Sequence, residues 1–264
     1  MRAVYKALAA AALAGAAVAG MAIAAAPDGP AFLDPGYLSL IDVVPPAPIV
    51  QEPRGAADRE IFKLTRALKG SQRWDMAIGD VASDTASMMR DFSCATRIGM
   101  TPDNAPKTAA LLEKASRDSG RETNELKLFY KKKRPFLQDP GEICEAPTEQ
   151  LTTSYDYPSG HATRGWTWAL ILSEAVDDRA APILARGRAY GESRIVCGVH
   201  NMSAIDAGQM VASATLAVVR TEPAYGQALA ASRAELAALR KTGTAPSAQA
   251  CAAEEALVGQ PILR

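Results

Sequence analysis

Pro158-Ser159-Gly160-His161, followed without a break by the largely apolar residues 162–176, is the stretch whose reading decides the fold. A proline and a serine just ahead of a long apolar run mark a helix start. Such a start leaves its first backbone N–H groups unpaired and presents the positive end of the helix dipole. That end is a natural seat for a phosphate-like anion, and Gly160 lets the anion approach the backbone closely. His161 falls in the first turn, beside whatever is bound. The chain has only two histidines, and the second, His200, lies in another polar loop ahead of a helix. Proton chemistry near neutral pH therefore runs through this pair.

Working outward, the remaining pattern is helical. Residues 58–68, about 74–97, and a segment opened by Thr101-Pro102-Asp103 read as amphipathic helices, the last interrupted at Ser119-Gly120. Residues 122–133 read as a further helix that Pro135 stops, and 136–157 as a long loop. After the Ser159-led helix come helices near 182–191, over 204–220 and over 225–241, with 193–202 as a linker. No strand alternation longer than a few residues and no internal repeat is present, so the expected class is all-α, a single-domain helical bundle. Lys127 and Arg134 are seven residues apart and, if both were helical, would lie about 20° apart on one face. Two cations there suit a phosphate, although Lys131-Lys132-Lys133 shows that the segment is also a basic run of the kind usually solvated. Ser193-Arg194 with His200 supplies a second guanidinium and the second imidazole.

At 264 residues and 48% hydrophobic content the chain can bury one substantial core. Arg2 and Lys6 precede the apolar residues 7–23, and Ala22-Ile23-Ala24 fits a cleavage site, so residues 1–24 are predicted to be a secretory signal peptide. Residues 25–57 then form an irregular arm rich in Pro and Gly, 58–241 the helical domain, and 242–264 an Ala-rich tail. Without Arg2 and Lys6 there are 27 basic against 29 acidic residues, a net charge of −2, which offers nothing to nucleic acid or an anionic membrane. No later run of about 18 residues is free of charge, so no stable membrane association is expected after cleavage. Export permits disulfides, and Cys94, Cys144, Cys197 and Cys251 allow three pairings. No cysteine spacing suggests zinc, and no cofactor is expected.

Lys-x6-Arg-Pro from Lys127, then Pro-Ser-Gly-His, then Ser-Arg-x5-His ending at His200 resembles the three-part signature of the type 2 phosphatidic acid phosphatase (PAP2) superfamily. The flanks, from about Pro45 to Leu239, resemble its secreted bacterial class A non-specific acid phosphatases. The resemblance implies a metal-independent, periplasmic hydrolase of small phosphate monoesters. It implies phosphate held by Lys127, Arg134, Ser159, Gly160 and Arg194, attack on phosphorus by His200 to form a phosphohistidine, and protonation of the leaving oxygen by His161. Vanadate-dependent haloperoxidases share this pocket, and the class A-like flanks favour the phosphatase. Oligomeric state stays open, a homo-oligomer included.

One position departs from the pattern. The signature ends His-x3-Asp, with the acid orienting the nucleophilic imidazole, but the fourth residue after His200 is Ala204. The nearest acid beyond it is Asp206. If Ser203 caps the helix, Ser203-x-x-Asp206 resembles a capping box, and positions 204 and 206 point about 200° apart. Asp206 is thus expected to be a cap before an orienter of His200, and a weakly active oxyanion-binding relative is the alternative that Ala204 raises.

Overall fold

The computed structural model describes residues 30–243 and 245–263, so the predicted signal segment lies outside the described residues. Among them there is no strand, and the all-α expectation holds. The helices are α1 (Pro53–Thr65), α2 (Gln72–Gly79), α3 (Thr85–Thr96), α4 (Pro106–Tyr130), α5 (Glu149–Thr153), α6 (Gly160–Ala175), α7 (Ala180–Val196), α8 (Met202–Val219), α9 (Pro223–Lys241) and α10 (Ala248–Val258).

Helix α6 is the centre of the bundle and packs on α4, α7 and α8. Trp168, Ala169, Ile171 and Leu172 are fully buried, because a helix apolar on several faces has to be surrounded. The main core adds Met88 and Phe92 from α3, Leu112 from α4, Ile183 and Tyr190 from α7, and Leu216 from α8. Helix α8 is long and apolar enough to cross a bilayer, yet more than half of it is buried inside this bundle. Small residues set the α6–α7 separation. A Cβ on Gly187 would stand 2.3 Å from the Cβ of Ala169, and one on Gly165 would stand 2.5 Å from the Tyr190 ring.

Several boundaries differ from the sequence reading. Ser119-Gly120 does not interrupt α4, which runs through 25 residues. Ser119 is buried and its hydroxyl meets that of Thr167 on α6, so tertiary contact outweighs the weak helix propensity there. Residues 74–97 are two helices, with Ser71 capping α2 and Asp84 capping α3. Ser193 and Arg194 belong to the last turn of α7 instead of a linker. The long loop contains the short helix α5, capped by Thr148. The Ala-rich tail contains α10, tied to α3 by the Cys94–Cys251 disulfide. The second disulfide, Cys144–Cys197, pins the loop ahead of α5 to the residue after α7.

Gly187→Ala should destabilise the protein by about 1–3 kcal/mol, the usual cost of forcing a methyl into a packed helix contact. Denaturant unfolding measures it, and an unchanged midpoint would mean that α6 and α7 are not held apart by this contact.

Candidate active site

Three chain segments interlock at one end of α6, and hydrogen bonds to main-chain carbonyls fix them to one another. The amide of Asp156 donates to Lys132 O at 2.8 Å, joining the stretch before α6 to the stretch after α4. The amide of Ser159 donates to Ala204 O at 2.9 Å, joining the start of α6 to the first turn of α8. Arg134 Nη1 donates to Val199 O at 2.9 Å, joining the first segment to the loop between α7 and α8. Gly208 allows this closeness, since a Cβ there would lie 2.7 Å from Ser159 O. Together the segments line a pocket of roughly 360 Å³ that includes Lys127, Arg134, Gly160, His161, Arg194 and His200.

Lys127 and Arg134 do meet, though not by sharing a helix face. Lys131 adopts φ 49°, which ends α4, and Arg134 sits in extended backbone (φ −67°, ψ 150°) ahead of a 3-10 turn. The chain reversal between them brings both side chains into the pocket. Arg134 is anchored by Ser154, through Nη2 to Oγ at 2.8 Å and Nε to the carbonyl at 3.2 Å. Lys127 Nζ donates to Tyr155 O, and burial together with Arg134 and Arg194 pulls its pKa down to about 7. Arg194 Nη2 bonds to Glu145, while its Nε and Nη1 are buried without a hydrogen-bond partner among the described residues. Buried guanidinium donors are seldom left unpaired.

Ser159 caps α6 as the sequence predicted: its Oγ accepts from Ala162 N at 3.3 Å. The amides of Gly160 and His161 occupy the first turn, where a helix has no internal acceptor for them. A Cβ on Gly160 would meet nothing within 4 Å, so its missing side chain leaves open room at the helix end.

The neighbours of each imidazole assign its protons. His161 Nε2 lies 3.0 Å from Val81 O, which can only accept, so Nε2 carries a proton and Nδ1 is the nitrogen that titrates. The ring stacks on Tyr190, 6.1 Å between centroids. His200 Nε2 lies 3.0 Å from Arg134 Nη1, which can only donate, and Nδ1 lies 2.9 Å from Asp156 Oδ1. His200 is therefore protonated on Nδ1 and keeps a lone pair on Nε2 at the pocket. Burial drives both histidines well below 6.5. For His161 the next cause is Arg194, and for His200 it is Arg134 with Lys127.

The expectations for Ser203 and Asp206 need correction. Asn201 is the N-cap residue of α8, so Ser203 lies inside the first turn and no Ser203–Asp206 box forms. The carboxylate serving that turn comes from α1: Asp58 accepts from Ser203 N at 2.9 Å and from its hydroxyl at 2.5 Å. Asp206 is exposed and does not reach His200. The acid on His200 is Asp156, 44 residues away in sequence, and the sequence reading missed it. It also missed Glu145, Ser154 and Asn201. The available signal was weak: with no acid at 204, an acid beside one of the motifs was wanted, and Asp156 stands two residues before Pro158.

The match with known proteins agrees with this geometry. Residues 111–225 match the PAP2 superfamily. The acid phosphatase of Zymomonas mobilis is 36% identical over 217 residues, covering 82% of each chain. The chain belongs to the PAP2 superfamily. The non-specific acid phosphatase of Salmonella typhimurium is 34% identical over 195 residues, covering 73% of this chain and 78% of that one. That of Providencia stuartii is 32% identical over 206 residues, covering 77% and 83%. Among the described residues no three His, Cys, Asp or Glu side chains gather as a metal site.

Because Lys127 titrates near 7, it gains its charge as the pH falls through that value, and anion affinity gains with it. Sulfate, which stays dianionic, should inhibit up to about fivefold more strongly at pH 7 than at pH 8. Lys127→Met should flatten that dependence. A slope that survives in the variant would mean that another group titrates.

Proposed function

We propose that this enzyme hydrolyses phosphate monoesters as an acid phosphatase, passing the phosphoryl group through His200 to water. The observation that carries the reading is the pocket itself: two imidazoles of opposite assignment, three cations and a helix N-terminus around one space. Phosphoryl transfer asks mainly for positioning and for stabilisation of charge on the equatorial oxygens. Lys127, Arg134, the two unpaired nitrogens of Arg194 and the first-turn amides of Gly160 and His161 are the donors for those oxygens. The names of the relatives favour phosphatase chemistry over the haloperoxidase alternative.

In the first step the Nε2 lone pair of His200 attacks phosphorus, and a P–N bond forms as the ester P–O bond breaks. His161 gives its Nδ1 proton to the departing oxygen, so an alcohol leaves. In the second step water attacks phosphorus, His161 takes back a proton, and the P–N bond breaks to release inorganic phosphate. The low pKa of His200 has a use in this scheme, since it keeps the lone pair free in mildly acidic solution. Burial and then the neighbouring cations hold His161 low, and an anion among those cations offsets their share, so substrate itself helps to protonate the acid.

We further propose that the enzyme works in the periplasm after removal of residues 1–24. The signal-like N-terminus and two disulfides, which persist in oxidising compartments, support this.

Turnover of p-nitrophenyl phosphate, with an acid-labile phosphoenzyme lost in His200→Ala, is the test of the reaction. His161→Ala should lower kcat/KM for alkyl phosphates by about 10²–10⁴-fold, the range for a general acid. The loss should shrink for p-nitrophenyl phosphate, whose leaving group needs little protonation. Equal losses across a leaving-group series would remove His161 from the acid role.

A further inference from the structure

We propose that Asp156 is the positioning residue of the nucleophile, doing from the loop before α6 the work that the His-x3-Asp pattern assigns to position 204. The inference rests on the phosphohistidine reading of the same site. Position 204 can no longer do it: Ala204 has no acid to offer, is fully buried, and packs in an apolar cluster with Leu40, Leu126, Tyr157 and Val211.

Asp156 occupies the opposite kind of site. It is fully buried, and every neighbour of its two oxygens is a donor. Oδ1 accepts from His200 Nδ1 at 2.9 Å and from Asn201 N at 3.1 Å, and Oδ2 accepts from Asn201 Nδ2 at 2.7 Å. Lys132 Nζ stands 3.9 Å from Oδ2 and 2.8 Å from Asp58 Oδ2, one cation between two carboxylates. The hydrogen bond that the Asp156 backbone N–H donates to Lys132 O closes the arrangement. Burial alone raises the carboxyl's pKa, while Lys132, Asn201 and Arg134 favour the charged form. The acceptor at Nδ1 holds the proton on that side of the ring, in concert with the Arg134 donor that faces Nε2. The same carboxylate offsets the positive charge that grows on His200 as phosphorus is attacked, as in other carboxylate–histidine pairs.

Asp156→Asn is the informative variant. Its NH2 has to face either His200 Nδ1 or the Asn201 donors, so the ring is pushed toward the wrong tautomer. We expect kcat/KM to fall about 10³-fold or more, the scale seen when a triad loses its orienting acid, and by the same factor for good and poor leaving groups. Sulfate inhibition should change less than threefold, because Lys127, Arg134 and Arg194 are untouched. The ¹⁵N spectrum of His200 should lose its Nδ1–H tautomer. Ala204→Asp in the otherwise unaltered chain should not raise kcat/KM, since Nδ1 already has its acceptor. The assignment is overturned if Asp156→Asn keeps activity within threefold, or if Ala204→Asp raises it. A variant that loses turnover, sulfate affinity and thermal stability together would make Asp156 a structural cap of α8 and also overturn it. His200→Ala separates the two levels: if it stays active, the phosphohistidine reading itself fails, whatever Asp156 does.

Discussion

Lys127, Arg134 and Arg194 are held around one buried pocket, and the cost of bringing three cations out of water and close together shapes the rest of the site. Two of the three are tethered by acceptors that are not themselves charged: Tyr155 O for Lys127, and Ser154 with Val199 O for Arg134. Among the described residues only Arg194 of the three hydrogen-bonds a carboxylate, Glu145, and that group belongs to the loop pinned by Cys144–Cys197. The pocket therefore keeps a strong positive field, which adds to burial in depressing Lys127 and both histidines. A phosphate dianion relieves that field, so tension stored in the protein turns into affinity for the ligand.

Rigidity comes from the main chain. The bonds Asp156 N–Lys132 O and Ser159 N–Ala204 O tie three separate loops into one body. The close approach permitted by Gly208 adds to them. Each loop also ends or begins a helix of the core, so the pocket inherits the stiffness of α4, α6, α7 and α8. Preorganised donors of this kind stabilise developing charge without having to move at the moment of reaction.

The carboxylates Asp58 and Asp156 serve the start of α8 together. Asp58 takes the Ser203 donors and Asp156 takes the Asn201 amide, so both sit at the positive end of that helix. Lys132 stands between them as their common counter-ion. Of the Lys131-Lys132-Lys133 run, one residue ends α4 and the next holds this network, although on composition alone the run resembled a solvated patch.

Much of the protein was legible in the sequence because the signals are local. A helix start at Ser159 depends on its own side chain reaching an amide three residues on, and the periodic apolar residues of α9 depend only on helix geometry. The class, the central helix and the three motif segments follow from such near-neighbour physics together with motif order. What the tertiary structure alone decided is where distant atoms meet. The junction at Lys131 turned a supposed shared helix face into a chain reversal, since a single left-handed residue is invisible in apolar periodicity. Helix α4 continues through Ser119-Gly120 because a hydroxyl on α6 lies opposite, which no local propensity records. The acid on His200 was sought four residues away and found 44 residues earlier, because a hydrogen bond depends on distance in space and α6 and α8 begin side by side.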